Sequence, residues 1–409
     1  MTAPGQAGGQ HDSRKPVGRI LIVAPNWLGD SIMAQPLLSL LQTRSGAAID
    51  VIAVPAVAPV FRRMPEVARV IEADFRHGAL DLKARWQLGR SLRRNDAGQA
   101  QYAQSYVLPN SWKSALVPFF ADIAVRVGYA GEARVGLIDV RHKNPKKGAA
   151  REPMAQFYAR LAELPGKAHA TLPGEVAPQL PGSASAASSA SATAGGETAS
   201  TSAVGASTPG KLAPGLTAPF LMADPLRVIA AKVNLGLKPL QSLVALCPGA
   251  EYGPAKRWPA EYFAEVASKL KARGHTPVVL GAQSDVPTGL IIEQLSNGAA
   301  INLAGKTSLD DAINLIAGSR AVITNDSGLM HVAAALGTPQ LALFGSSSPE
   351  HTPPLSDAAR VIYLKTACSP CFARECPLGH FKCMREMTPE MVLAQFDTLA
   401  DLLTLSATP

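Results

Sequence analysis

The sequence predicts an α/β protein of two domains, each a parallel sheet covered by helices on both faces, and three observations carry that expectation. Short runs of β-branched and leucine residues alternate with helix-period segments through both halves of the chain. A run built almost wholly of Ala, Ser, Thr, Gly and Pro, residues 181 to 215, separates those halves. The 409 residues are 47% hydrophobic and 17% charged, with 34 Gly and 33 Pro against 5% aromatics. That composition suits large cores and many strand-to-helix turns better than a coiled coil or a simple bundle.

In the first half, strands are expected at 19–24, 49–54 and 106–109, each followed by a helix, at 31–42, 57–64 and 113–121. The same rhythm returns after the break. Strands at 243–247, 277–280 and 321–324 lead into helices at 259–273, up to 297 and 329–336, with a further strand at 340–344. Strand, turn and helix in repeated succession imply parallel sheets buried on both faces. Ligands then belong at the carboxyl ends of the strands, between the halves. Residues 389 to 405 read as an amphipathic closing helix that would pack back across the first half. The 181 to 215 run cannot bury enough apolar surface to offset chain entropy and is expected to be a disordered insertion.

The charge balance, 39 Lys plus Arg against 31 Asp plus Glu, favours anionic partners without choosing among phosphorylated sugars, membrane surfaces and nucleic acid. Residues 1 to 18 are polar and lack the apolar core of a secretion signal, so a cytoplasmic protein is expected. No apolar run approaches the ~18 residues of a spanning helix, which leaves peripheral contact as the only membrane option.

The run ILIVAPNWLGDSIMAQPLL places Asn26, Trp27, Gly29 and Asp30 between a buried strand and a helix expected to start around Ser31. A carboxylate there could take the proton of an attacking hydroxyl. It could equally cap the helix, accepting from free backbone N–H groups. In the second half, ALCPGAEYGPAKRWP puts Lys256 and Arg257 on a loop at a strand's carboxyl end. Cations there would offset charge on a departing diphosphate, or simply form a solvated pair. In AVITNDSGLMHVAAALG, the turn Asp326-Ser327-Gly328-Leu329 opens a helix whose free N–H groups and dipole make an anion site. Asp326 would repel phosphate and is assigned to sugar hydroxyls. His331, one turn on, is either a donor to a ligand oxygen or a hydrogen-bonded core residue. Asp285, after LGAQS, could bridge a ribose diol, and Lys306, Thr307 and Ser308 could border a base; each loop could also be an ordinary polar turn. No Walker A or G-x-G-x-x-G pattern is present, which removes the main support for a P-loop or dinucleotide enzyme.

Four cysteines, Cys368, Cys371, Cys376 and Cys383, fall within sixteen residues as C-x2-C-x4-C-x6-C, with His380 among them, while Cys247 stands alone in a strand. The first pair has metal-ligand spacing and the later intervals match no standard knuckle, so a structural metal and free thiols both remain readings.

Taken together, PNWLGD, VLPNSWKSALVPFF, CPGAEYGPAKRWP and TNDSGLMHVAAALGTP closely resemble the ADP-heptose:lipopolysaccharide heptosyltransferases of glycosyltransferase family 9, above all those that add the second heptose. The likeness covers about residues 19 to 165 and 224 to 403. It implies a GT-B fold, two Rossmann-like domains facing across a cleft, and an inverting reaction that requires no metal cofactor. It further implies transfer of L-glycero-D-manno-heptose from ADP-heptose to the first heptose of the lipopolysaccharide inner core. The partners would be ADP-heptose and a lipid-linked acceptor at the inner-membrane surface, with no nucleic acid. The family's catalytic Asp matches Asp30, its phosphate-contacting Lys matches Lys256, and its Asp-[Ser/Thr]-Gly-Leu stretch matches Asp326, Ser327, Gly328 and Leu329. The ribose and adenine contacts map near Asp285 and Thr307.

The acceptor side would include Asn26, Trp27, Asn110 and Lys113. The basic runs at Arg62-Arg63, at Arg90, Arg93 and Arg94, and at 141 to 147 could meet acceptor phosphates or be solvated faces. The expected organisation is a tail to 18, an acceptor domain 19 to 180, an insertion 181 to 218, a donor domain 219 to 388 and a closing helix and tail 389 to 409. The alternatives are another nucleotide-sugar enzyme on the same fold, either a heptosyltransferase with a different acceptor or a sugar-nucleotide epimerase, and a non-catalytic cysteine-cluster protein.

Overall fold

The computed structural model describes residues 18–75, 79–145, 152–163 and 212–405. The tail to residue 17 and the insertion up to residue 211 lie outside these. The first domain carries β1 (Arg19–Val23), β2 (Ile49–Ala53), β3 (Val67–Glu72), β4 (Tyr102–Val107), β5 (Val125–Tyr129) and β6 (Val140–His142). Its helices are α1 (Leu28–Met33), α2 (Gln35–Ser45), α3 (Ala58–Phe61), α4 (Leu82–Ser91), α5 (Leu116–Phe120) and α6 (Met154–Ala159). The second domain carries β7 (Leu243–Cys247), β8 (Thr276–Val279), β9 (Ile301–Asn302), β10 (Ser319–Asn325), β11 (Gln340–Phe344) and β12 (Ala359–Tyr363). Its helices are α7 (Pro225–Asn234), α8 (Ala260–Ala272), α9 (Val286–Leu295), α10 (Leu309–Ala317), α11 (Gly328–Ala335), α12 (Lys382–Arg385) and α13 (Pro389–Leu405).

Each domain is a six-stranded parallel sheet, in the order β3-β2-β1-β4-β5-β6 and β12-β11-β10-β7-β8-β9. Strand periodicity divides the side chains between the two faces. In β1, Ile20 and Ile22, with Ala24 just beyond, join one core with α2 and α3, while Leu21 and Val23 join another with α5. In β7, Leu243, Ala245 and Cys247 face α10 and α11, while Val244 and Leu246 face α8 and α13. The first of these cores is continuous between the sheets, which fixes the domains against each other.

Strand order reverses between β1 and β4 in one sheet and between β7 and β10 in the other. Crevices open at such switch points, outside the carboxyl ends of the strands. The segments that follow β1, β4, β7 and β10 carry Asp30, Asn110, Lys256 and Asp326, so the topology alone assembles candidates that lie up to three hundred residues apart.

Two expectations about elements are corrected. The first helix starts at Leu28, before Ser31, and Asp30 lies inside its first turn; Trp27, extended at φ −94° and ψ 135°, takes the cap position and makes no side-chain cap bond. The capping reading of Asp30 falls with it. The closing helix α13 packs Val392, Leu393, Phe396 and Leu399 against the second domain's own core, beside α8. Its apolar face matches the surface left open on that sheet, and the first domain is covered by α6 instead, which packs on α2.

The domains are joined by hydrogen bonds as well as by the core. Arg63, buried, donates to Asp310 Oδ1 at 2.9 Å and to Asn314 Oδ1 at 3.0 Å on α10. The Gln35 amide exchanges two 2.8 Å bonds with the backbone of Phe220. Met154 N donates to His351 O at 3.0 Å.

Candidate functional site

The two faces of the cleft meet where α1 and α11 touch. A methyl placed on Gly29 would stand 2.9 Å from Cδ2 of His331, and one on Gly328 would stand 2.8 Å from Cβ of Leu28. Each helix therefore offers a glycine where the other approaches, and nothing larger fits at this separation. The contact brings Asp30, from the first domain, within electrostatic reach of Lys256 from the second.

Burial raises the Asp30 carboxyl from its ordinary 3.8 to about 6, and the nearby Lys256 ammonium holds it from going further. A carboxylate poised there is mostly ionised at neutral pH and still basic enough to take a proton. His331 is buried, and loss of solvation lowers its imidazole to about 4, with Lys256 acting in the same direction and Asp326 opposing. It is neutral at physiological pH and so offers one ring donor, not a charge.

Lys256 and Asp326 form an ion pair with Nζ 2.6 Å from Oδ2. The sequence assignment gave Asp326 to sugar hydroxyls; here its carboxylate orients the lysine, and Thr352 donates to its other oxygen at 3.3 Å. Lys256 also lies 5.3 Å from the centre of the Tyr252 ring. The loop that carries it is pinned by Asn325, whose side chain donates to Pro248 O at 2.7 Å and accepts from Trp258 N at 3.1 Å. Arg257 donates to Ala250 O, within the same loop, and is a brace for it.

Helix α11 begins with Ser327 at the cap position and no side chain satisfying its first amides. Free N–H groups at residues 328 to 330 with the positive end of the helix dipole suit an anion, in keeping with the turn's expected role. Asp285, buried in the turn between β8 and α9, accepts from Ala282 N at 2.9 Å and lies against Gly249 and Gly281, which follow the adjacent strands β7 and β8. Ser308 is occupied as the cap of α10, accepting from Asp311 N at 3.1 Å. Lys306 is exposed and donates to Asn302 O at 3.0 Å, with Thr307 half-buried beside it.

On the acceptor side Asn26 and Trp27 are exposed next to Asp30, and Asn110 follows β4, where the buried Arg134 donates to its side-chain oxygen at 3.2 Å. Lys113 is half-buried, and its carbonyl accepts from Arg85 at 3.2 Å. The basic runs are mostly committed elsewhere. Arg63 is locked into the domain interface, Arg62 pairs with Glu72, and Arg93 pairs with Asp122. In the 141 to 147 run, residues 146 and 147 lie outside the described residues.

Four residues at the site carry no local signal that singles them out: Asn325, Thr352, Tyr252 and Tyr158. Tyr158 on α6 is buried near enough to Asp30 for that carboxylate to help burial raise its phenol. Its contact is tertiary and leaves no local pattern.

The four clustered cysteines do converge. Cys368, Cys371, Cys376 and Cys383, with Ser346, Ser369, His380 and Phe381, line one cavity of about 20 Å³. Backbone N–H groups of Phe381, Leu378, His380 and Gly379 lower the Cys376 thiol, and burial with three neighbouring thiols raises Cys383 to about 11. Among the described residues no group of three or more His, Cys, Asp or Glu side chains is arranged to hold a metal ion. The cluster's loop braces the lysine loop: Arg374 O accepts from Ala255 N at 3.1 Å, and Phe372 O accepts from Tyr252 at 3.0 Å.

Residues 85–382 match the description Glycosyltransferase family 9 (heptosyltransferase). Lipopolysaccharide heptosyltransferase 2 of Escherichia coli strain K12 is 38% identical over 390 residues, spanning 93% of this chain and 98% of that one. Lipooligosaccharide heptosyltransferase 2 of Haemophilus influenzae is 36% identical, over 93% and 99% of the two chains. Among solved structures, the E. coli ADP-heptose lps heptosyltransferase II superposes with a TM-score of 0.72 at 35% identity, covering 95% of this chain and all of that one. An E. coli heptosyltransferase WaaC with ADP shares the fold at a TM-score of 0.60 and 18% identity. With its twin parallel sheets, its switch-point loops and likeness along nearly the whole chain, this protein belongs to glycosyltransferase family 9, the heptosyltransferases.

Proposed function

We propose that this enzyme transfers L-glycero-D-manno-heptose from ADP-heptose to the first heptose of the lipopolysaccharide inner core, with inversion at the anomeric carbon. The observation that carries this reading is the meeting of Asp30, raised to about 6, with Lys256 and the uncapped start of α11 across one cleft. The first domain forms the acceptor side and the second the donor side. ADP lies with its diphosphate on the amides of 328 to 330, its ribose toward Asp285 and its base along Lys306, Thr307 and Ser308.

In the reaction, Asp30 takes the proton of the acceptor hydroxyl as its oxygen bonds to the anomeric carbon. The bond from that carbon to the diphosphate breaks in line, through an oxocarbenium-like state. Lys256 and the α11 amides receive the charge that appears on departing ADP. These groups supply the electrostatic work, so the reaction is written without a metal cofactor. His331, neutral, donates to a phosphate or sugar oxygen. Asn26, Trp27, Asn110 and Lys113 contact the acceptor. A structural metal at the four-cysteine cavity rests on the spacing and on the convergence of the four thiols, with no metal-holding arrangement among the described residues, and metal analysis of protein purified without added metal tests it.

The acceptor is lipid-linked, which places the enzyme at the inner face of the cytoplasmic membrane. No helix among the described residues is long and apolar enough to cross a membrane, in keeping with peripheral attachment. The test is ADP release with ADP-heptose and a truncated core acceptor, with analysis of the product. Asp30→Ala should abolish turnover while ADP-heptose still binds; near-normal turnover in that variant would remove Asp30 as the base, and epimerised ADP-heptose as product would replace transfer with epimerisation.

A further inference from the structure

On α4 the buried positions are Arg85 and Gly89, with Leu88 half-buried and Leu92 just beyond the helix also buried. An ordinary surface helix would carry polar side chains on the opposite face. Here the flank between the buried stripe and that face presents Leu82 and Trp86, each 49% exposed, one turn apart. Leu80 precedes them and Phe119 of α5 lies on the neighbouring helix, both also exposed. No described element of the chain covers these side chains.

The charge around them is mostly basic, the acids at its edge being Asp81, which faces the buried Arg85, and Asp122, which is paired with Arg93. Residues 82 to 94, LKARWQLGRSLRR, hold five basic residues and no acid. Lys83 and Arg90 stand exposed on the same helix, and the Arg90 guanidinium lies 6.0 Å from the centre of the Trp86 ring. Large apolar side chains interleaved with Lys and Arg suit a surface that is apolar beneath and anionic above, which describes the headgroup region of an acidic bilayer. An acidic protein groove would satisfy the cations and leave Leu82 and Trp86 facing charge.

The face is also rigid and correctly aimed. Gly89 lets α4 press on the backbone of α5, where a methyl would stand 2.8 Å from Val117 O. Arg85 ties the start of α4 to both flanking loops, donating to Leu80 O at 2.8 Å and to Lys113 O at 3.2 Å, with Phe75 under its guanidinium at 3.9 Å. Lys113 follows β4, next to the β1 loop that carries Asp30. The end of α4 that bears Leu82 is therefore the end nearest the acceptor side of the cleft.

We propose that the exposed face of α4, with Leu80, Leu82, Lys83, Trp86 and Arg90, docks the enzyme on an anionic bilayer and holds the cleft over a membrane-embedded acceptor. This rests on the reading of the substrate as lipid-linked. Trp86 and Leu82 enter the acyl boundary while the two cations stay among the headgroups.

The experiment is co-sedimentation of the full chain with neutral phosphatidylcholine vesicles and with vesicles containing about a third phosphatidylglycerol, a fraction chosen for strong surface potential. Binding should require the anionic lipid and weaken with salt. Leu82→Ser with Trp86→Ser, and separately Lys83→Glu with Arg90→Glu, should each weaken it about tenfold or more, a loss expected when either component of such binding is removed. Both variants change exposed side chains and should keep wild-type turnover on a soluble, delipidated acceptor, while losing turnover on acceptor embedded in vesicles. Equal binding to neutral and anionic vesicles, or undiminished binding in both variants, overturns the docking face. Failure of the transfer reading appears separately, as no turnover of the wild type on the soluble acceptor.

Discussion

Gly29 of the first domain and His331 of the second stand in contact, at a separation that leaves no room for a methyl on the glycine. Because Asp30 is the next residue, the distance between α1 and α11 sets where the proposed base stands relative to the proposed donor site. Gly29→Ala should push the helices apart. The expected outcome is a loss of about 1 to 3 kcal/mol in stability from overpacking and a fall in kcat of about tenfold or more from misplacement. Binding of ADP, whose proposed contacts all lie on the second domain, should change little. Calorimetry and steady-state kinetics check this; wild-type kcat in the alanine variant would show that the contact does not position the base.

The raised carboxyl of Asp30 gives opposite signatures in activity and stability. Transfer needs the ionised form, so kcat/KM should rise with pH through an apparent pKa of about 6. Folding prefers the protonated form, because the folded carboxyl at about 6 binds its proton more tightly than the unfolded one near 3.8. Stability from this group is therefore full below about 4 and lost as pH rises to 6. Asp30→Asn should be inactive yet more stable than wild type above pH 6, by on the order of 2 kcal/mol, with the difference vanishing in acid. Melting curves at pH 4, 6 and 8 test the sign; a variant less stable at pH 8 would mean that the charge is compensated in the fold.

The ion pair of Lys256 with Asp326 can be separated into structural and chemical parts. Lys256→Ala leaves Asp326, 5% exposed, without its cation, and should cost on the order of 2 kcal/mol. Adding Asp326→Asn should recover much of that stability, since no unpaired charge remains. It should not recover turnover, because no cation then meets the diphosphate. A double variant as active as wild type would assign the pair to folding alone.

The fold was readable from the sequence because buried parallel strands announce themselves as continuous apolar runs. Leu243–Cys247 and Gln340–Phe344 were placed to the residue. Edge strands were missed: Val67–Glu72, at the rim of its sheet, has half its residues exposed or charged and carries no such run. The start of α1 was misplaced because Gly29 reads as a helix breaker locally, whereas its reason for being glycine lies on the other domain. The candidate site was legible where its residues follow a strand's end, as with Asp30, Lys256 and the 326 to 329 turn, which the fold brings to one place. Asn325, Thr352 and Tyr158 act through partners distant in sequence, and no local spacing encodes such partners. Arg63 shows the reverse error: a basic pair reads as surface until the fold buries it against Asp310 and Asn314.

That interface suggests a further measurement. Arg63→Met keeps much of the side-chain volume and removes both bonds to α10, leaving the Asn314 side-chain oxygen, which is buried, without its donor. The expected cost is about 1 to 3 kcal/mol. If the pair also fixes the angle between the domains, KM for acceptor should rise more than Kd for ADP, since the proposed acceptor contacts lie on the first domain and the proposed ADP contacts on the second. Proportional changes in both would confine Arg63 to stability.

Thiol reactivity follows from the same geometry. Thiolates, not thiols, react with alkylating agents, so the order of modification reports the order of pKa values among accessible groups. Cys376, lowered by the N–H groups of residues 378 to 381, should react with iodoacetamide before Cys383, which burial and its three neighbours hold at about 11. Cys247, fully buried in β7 and raised by that burial, should react only after unfolding. Peptide mapping at pH 7 over a time course gives the order. Because the cysteine loop braces Tyr252 and Ala255, alkylation at Cys376 should also lower kcat, by displacing the loop that carries Lys256. Modification of Cys376 with turnover intact would uncouple the cluster from the lysine, and prior reaction of Cys383 would contradict the arrangement of amides around the Cys376 sulfur.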